Sequence, residues 1–283
     1  MSNVQVWSCG GGVQSAAIGA LIVQGRLPRP DLAVIADTER ERSSTWAYFD
    51  SVLKPELARV GVDIVRVRKS DYGAPDIWQG ADGNTISMPV FFTQQVDINE
   101  PDDEDEDDDS LLLFAEPRTP REPQLVTKIS RAPGYCSNEW KGRVVDRWLR
   151  AQGVKKSEAV IWLGISLDEI RRVRAGNYRY PLINDVPMRR TGCLHLIGSM
   201  GWPEAPKSSC WMCPNRRNVE WVDMRDNWPE DWTKAVKMDY ELRERDPNVF
   251  LHDSGLPLDL ALIDVEASGV MSLSDQCAGM CWV

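Results

Sequence analysis

The chain opens on a run of mostly apolar positions, Val4-Gln5-Val6-Trp7-Ser8, that predicts a short buried strand, and Gly10, Gly11 and Gly12 break it. From Val13 to Gln24 small and apolar residues fall at 16, 17, 20 and 21, a helical spacing, and Gly25 marks its stop. Leu32-Ala33-Val34-Ile35-Ala36, bounded by Asp31 and Asp37, predicts a second strand. Ser44 to Val60 predicts a helix, and the alternation over Val62 to Val67 a third strand. Strands and helices alternating through short joints predict an α/β fold, a Rossmann-like parallel sheet with helices on both faces.

The rhythm breaks near Ser70. Up to Arg131 the pattern shows scattered Gly and Pro, short apolar pieces and a run of acids, and it reads as an insertion. Residues 95–125 read as a disordered or lid-like piece, and the acidic run as a solvated loop. Helical spacing returns over Ser137 to Gln152, Val160 to Ile165 is another buried strand, and Tyr180 to Ile183 is a candidate last strand. From Arg189 onward short helical pieces alternate with Pro and Cys. The expected division is a first domain over 1–190, with 70–131 inserted, and a smaller Cys-rich region over 191–283.

Composition narrows the function classes. With 283 residues, 42% hydrophobic and 27% charged, the chain is neither collagen-like nor a coiled coil nor wholly disordered. No apolar stretch approaches the roughly 18–20 residues that span a bilayer, so no membrane partner is expected. The N-terminus lacks a basic region ahead of its apolar residues, and the expected location is the cytoplasm. There, seven cysteines favour metal or redox chemistry over a disulfide framework. Nine of the ten residues from Glu100 to Asp109 are acidic; removing them from the net charge of −10 leaves −1. The body is therefore near neutral, and the Arg-rich stretches 143–150 and 171–179 suit RNA, DNA or a small anion. The two histidines, His195 and His252, are too few for a His-rich zinc site or a His-driven triad; His195 reads as a local hydrogen-bonding partner and His252 as part of a surface turn.

Three features carry chemistry. Glycines 10, 11 and 12 sit between a strand and a helix, so the backbone can approach a ligand and aim N–H groups at one point. The positive end of the helix and the Ser15 hydroxyl complete a phosphate pocket. Cys210-Trp211-Met212-Cys213 places two thiols where they can grip one metal or the edge of a cluster. Cys277 and Cys281 lie close together near the C-terminus, while Cys9, inside the loop, reads as a small buried apolar residue.

Gly10-Gly11-Gly12-Val13-Gln14-Ser15 resembles the S-G-G-x-D-S loop of the PP-loop ATP pyrophosphatases. That superfamily includes PAPS and APS reductases, tRNA thiolation enzymes and the DNA phosphorothioation sulfurtransferase. Gly10 stands where Ser is usual and Gln14 where Asp is usual. Asp37-Thr38-Glu39 resembles the D-T-G element, with Glu for Gly, and Thr45 the Thr of the E-T pair that follows. Trp162-Leu163-Gly164-Ile165-Ser166, with Asp168, Glu169, Arg171 and Arg172, resembles the stretch that binds the phosphate end of the nucleotide. Cys136-Ser137 with Trp140-Lys141, and the later Cys210 and Cys213, resemble the two halves of the iron–sulfur site of assimilatory APS reductases.

The resemblance to the PAPS reductase-like branch implies an adenine nucleotide, ATP or another, held by Gly10, Gly11, Gly12, Gln14, Ser15, Asp37, Thr38, Gly164, Arg172 and Arg174, with Mg screening the phosphates. It implies a [4Fe-4S] cluster on Cys136, Cys193, Cys210 and Cys213, with zinc on the same thiols as the alternative. Ser15, Cys277 and Cys281 are the implied catalytic residues, the last two as relays of persulfide or disulfide, although the family's E-C-G-x-H tail is missing. The implied activity is ATP-dependent sulfur transfer onto RNA or DNA, aided by a sulfur donor or reductase protein. The alternatives are reduction of an adenylylated sulfate and non-catalytic nucleotide sensing.

Overall fold

The computed structural model describes residues 3–73, 76–79, 85–97 and 124–261. The acidic run and the tail with Cys277 and Cys281 lie outside the described residues. The N-terminal half builds strands β1 (Val4–Cys9), β2 (Leu32–Asp37) and β3 (Ile64–Arg68), with helix α1 (Val13–Val23) between the first two. A helical run from α2 (Ser43–Tyr48) through a π-turn (Phe49–Leu53) to α3 (Lys54–Ala58) joins β2 to β3. Pro55 has no N–H to give back to the preceding turn, and the helix accommodates it by widening there.

The predicted insertion holds more order than its pattern suggests. Short strands β4 (Trp78–Gln79) and β5 (Thr85–Ile86) pair with each other, and two eight-residue strands, β6 (Val90–Asp97) and β7 (Leu125–Ala132), form a long antiparallel ladder. The irregular reading of 70–131 is corrected on this point. None of the β7 residues is buried, so the alternation that marks a half-buried strand is missing from its sequence. After β7 come a π-turn (Asn138–Gly142), α4 (Arg143–Ala151), β8 (Ala159–Leu163), a 3-10 segment (Leu167–Arg172) and β9 (Tyr178–Arg179). The predicted strand at 180–183 is also corrected: Pro181 opens a π-turn (Pro181–Asp185), and pairing stops two residues earlier. Helices α5 (Arg190–Ser199), α6 (Asn218–Asn227) and α7 (Pro229–Arg245) and strand β10 (Val249–Phe250) complete the described chain.

The main sheet has the order β3-β2-β1-β8-β9 with every pair parallel, which bears out the α/β prediction. The chain moves outward from β1 to β3 on one side and resumes at β8 on the other. The carboxyl ends of β1, β2 and β8 therefore meet at the point where strand order reverses, the usual crevice for ligands in such sheets. Nine of the eleven α1 residues are buried, because the helix lies between the sheet and α3 and α5. Gly19 allows the close crossing: a Cβ there would sit 2.6 Å from Leu53 Cδ1. The core around α1 takes Cys193, Leu196 and Ile197 from α5. A second core joins residues of 77–92 with Trp140, Met212, Trp221 and the helices α6 and α7. No helix among the described residues is long and apolar enough to cross a membrane.

His252 is buried in the second half, not part of an open surface turn as its sequence suggested. The Ser254 backbone N–H donates to Nδ1 at 3.1 Å, so the neutral ring carries its proton on Nε2 and gives it to Asn218 Oδ1 at 3.0 Å. Burial lowers its pKa from the ordinary 6.5 and outweighs the opposing pull of Asp253 and Asp239. The unfolded chain then takes up a proton before the folded one does. Stability is full above pH 6.5 and falls as the pH drops below it, by at most about 1.4 kcal/mol at pH 5.5. Urea midpoints at pH 7.5 and 5.5 should show this loss in the native chain and a smaller one in His252→Asn; equal losses would assign the effect to other groups.

Candidate functional site

The end of β1 turns into the glycine loop because Gly11 sits at φ +74°, in the left-handed region. Ser15, in the first turn of α1, reaches back and accepts the Gly10 N–H at 2.8 Å. Gly164, after β8, lies against this turn: a Cβ there would stand 3.4 Å from both Ser15 N and Ser15 Oγ. Gly12, at the N-cap of α1, has no side chain to cap it, and the first helical turn holds no acidic residue. The positive end of α1 is thus neither capped nor neutralised by its own helix.

Beside the loop a small cavity of about 10 Å³, room for about one water molecule, is lined by Ser8, Cys9, Gly10, Ile35, Ala36, Glu41, Thr45, Trp46 and Lys141. It sits at the carboxyl ends of β1 and β2. Cys9 faces it as a thiol, accepting hydrogen bonds from the Gly11 N–H and from Ser15; burial pushes its pKa up to about 11, against the Lys141 ammonium. The sequence reading of Cys9 as a small buried residue inside the loop is borne out, and the structure adds that its thiol accepts from the Gly11 N–H.

The loop after β2 is rigid. Asp37 accepts both Nε and Nη2 of Arg66, at 2.9 and 2.6 Å, and its other oxygen takes the Glu39 N–H at 2.7 Å. Glu39 adopts φ +59°, the one non-glycine positive φ among the described residues, where the resemblance has glycine. Ser70 Oγ donates to its carboxylate at 2.9 Å and holds it there. Asp37 is thus a structural brace, and Thr38 turns toward sulfur: Thr38 Oγ1 lies 3.3 Å from Cys210 Sγ. Guanidinium Arg66 also covers the Trp46 ring at 3.5 Å, fixing one wall of the cavity.

A strap formed by residues 206–213 crosses this loop. Arg42 N–H donates to Ser209 O, Trp211 N–H to Arg40 O, and Glu41 pairs with Cys210 in an isolated antiparallel bridge. The strap reaches the glycine loop too, since a Cβ on Gly12 would lie 3.2 Å from Ser208 N. Glu41, almost fully buried, accepts Ser208 Oγ at 2.8 Å and Lys141 Nζ at 3.5 Å. Sequence reading passed over Glu41: one acid in an alternating Glu-Arg-Glu-Arg run looks like surface until the strap is seen on top of it.

The predicted cysteines divide. Cys136, Cys210 and Cys213 share one neighbourhood: Cys136 and Cys210 pack against the same second core, and the Cys213 N–H donates to Cys210 O at 3.0 Å. Burial, then Glu41, pushes the Cys210 thiol up to about 12, with Lys141 and Thr38 pulling the other way. Arg216 donates to Ser209 Oγ and the Cys210 carbonyl, at 3.0 and 2.8 Å, and stacks on Trp221. Cys193 is elsewhere. It is fully buried on α5 in the core around α1, its charged neighbours being Arg190, Asp168 and Glu169. Among the described residues no three His, Cys, Asp or Glu side chains form a metal-holding group. The four-cysteine set implied by the resemblance does not fit one cluster here, because Cys193 belongs to another core.

On the β8 side, Gln14 Nε2 donates to Glu169 Oε2 at 3.2 Å, and Arg172 holds the other oxygen of Glu169 at 2.5 Å. Arg174 fixes its backbone on Tyr180 and lays its guanidinium 5.6 Å from the Tyr178 ring centre. The Ser166 hydroxyl, two residues on from Gly164, is fully buried and has no hydrogen-bond partner among the described residues. The structure therefore brings Gly10, Gly11, Gly12, Gln14, Ser15 and Gly164 to one place, with Arg172 one side chain removed. Compared with protein-family models, with curated proteins and with solved structures, the chain matches none.

Proposed function

We propose that this chain is an adenine-nucleotide-dependent enzyme of the PP-loop kind, which activates an acceptor with ATP and passes sulfur to it, the acceptor being a nucleic acid. The observation that carries the reading is the uncapped, acid-free start of α1 behind a glycine bend at the carboxyl edge of a parallel sheet, with a cavity and Lys141 beside it. Free amides at a helix start suit a phosphate. Lys141, on the wall of the cavity, adds a cation.

In this reading the phosphates of the nucleotide lie against the amides at the start of α1. Ser15 does not act as nucleophile: it is a positioning residue that closes the bend on Gly10. An oxygen of the acceptor attacks the α-phosphorus, and the bond to the bridging oxygen breaks, releasing pyrophosphate and leaving an adenylylated acceptor. A sulfur nucleophile from a donor protein then replaces AMP. Magnesium enters with the nucleotide, since Gln14 supplies no carboxylate and Asp37 is held by Arg66. Catalysis rests on positioning and on charge stabilisation by the loop amides and Lys141.

The test is nucleotide chemistry. Incubated with Mg–ATP and total RNA, the chain should release pyrophosphate, and with sulfide added as the sulfur nucleophile AMP as well; Lys141→Ala should lower the rate by about 100-fold or more. Sulfite release from APS or PAPS with a thiol reductant would make the chain a reductase instead. Tight ATP binding with neither product would make it a sensor.

A further inference from the structure

The segment from Asp168 to Arg190 borders the glycine loop through the Gln14–Glu169 hydrogen bond. It carries six arginines and no lysine against three carboxylates, in a chain whose net charge is −10. Some of that charge is neutralised locally, Arg172 by Glu169 and Arg179 by Asp185. Arg171 is exposed and makes no ion pair among the described residues, and the Arg189 side chain is 73% exposed, with Asp168 a loose partner at 3.4 Å. Between the arginines, Ile170 and Val173 are 55% and 41% exposed, an unusual display of apolar surface beside cations.

We propose that this ridge is the surface on which a single-stranded segment of RNA docks, so that its reacting group faces the nucleotide. The proposal rests on the reading of the glycine loop as a nucleotide site and adds which face holds the acceptor. Guanidinium groups bind phosphates through paired N–H donors and offer flat faces to unstacked bases, with Ile170 and Val173 supplying apolar surface beside them. An acidic peptide would use the charge but leave Ile170 and Val173 uncovered. A paired duplex would offer phosphates with its bases stacked away. RNA loops and ends supply both partners together.

Fluorescence anisotropy with a short labelled single-stranded RNA tests this, alongside isothermal titration of ATP on the same preparations. Wild-type RNA affinity should fall steeply as KCl rises, as it does when phosphates displace counterions. Arg189→Glu should weaken RNA binding by at least about threefold with ATP affinity unchanged, and Arg189→Lys should retain most of it. Absence of RNA binding by the wild type, RNA affinity unchanged in Arg189→Glu, or polyglutamate competing as well as RNA would each overturn the proposal. ATP binding without RNA binding would sink the ridge alone. RNA binding through the ridge without ATP binding would sink the proposed nucleotide reading and leave the ridge as a binding surface.

Discussion

Gly134→Ala should lower the folding stability by about 3 kcal/mol or more, an effect at the upper end for overpacking. A Cβ at this position would fall inside the van der Waals shells of Pro89 N and Cδ and 3.0 Å from the Met88 carbonyl carbon. Those atoms are backbone and ring, so none can rotate away. The contact lies where the Tyr135 N–H donates to Ser87 O at 2.7 Å and Val90 pairs with Ala132. Relief requires the strands of the β6–β7 ladder to part at their inner end, beneath the second core. For a chain of this size the fall in Tm should be about 6 °C or more. Gly198→Ala is the control: nothing lies within 4 Å of a Cβ there, it is helical, and alanine should leave stability unchanged or raise it by up to about 1 kcal/mol. Equal melting temperatures for Gly134→Ala and wild type would show that the 87–90 segment moves freely against 132–135. The same shift would carry Cys136 with it, so thiol reactivity at Cys136 should change in the surviving folded fraction.

The parts of this molecule that obey one strong local rule were legible before any coordinates. The β1-loop-α1 unit announces itself, because buried strands and an all-round apolar helix give long unambiguous runs and three glycines can mark only a bend. The sheet edge followed from the alternation of elements. What was not legible depends on segments distant in sequence. Strand β7 has no buried face, so its pattern resembles a loop, and only its ladder with β6 orders it. Glu41 and Arg216 look like ordinary surface charges, yet the 206–213 strap buries both. Cys193 was grouped with Cys210 because they are near neighbours along the chain, whereas α5 turns Cys193 into the core beside α1. Spacing along a chain ranks thiol pairs well within one turn, as for Cys210 and Cys213, and poorly across a helix and a Pro-rich strap.

Gly11→Ala should cost ATP affinity about 10- to 100-fold, with a smaller loss of stability of about 1–2 kcal/mol from the left-handed backbone. Two separate penalties act at this residue. Its φ of +74° is one that side-chain-bearing residues rarely adopt. A Cβ would also stand 2.9 Å from Thr45 Cγ2 and 3.3 Å from Ile35 Cδ1, both on cavity-lining residues. A loop that escapes these contacts swings its N–H away from Cys9 Sγ and turns the neighbouring amides off their common point. A charged acceptor holding such an amide contributes about 1.5–3 kcal/mol, so losing one accounts for the predicted range. Thr45→Ser removes the offending methyl. The Gly11→Ala/Thr45→Ser protein should recover the steric part of the affinity and keep the backbone part of the defect. Titration of ATP into the single and double variants, with thermal melts on the same samples, separates the two. Wild-type affinity in Gly11→Ala would mean that the bend does not hold the phosphates, and the nucleotide reading would fail with it.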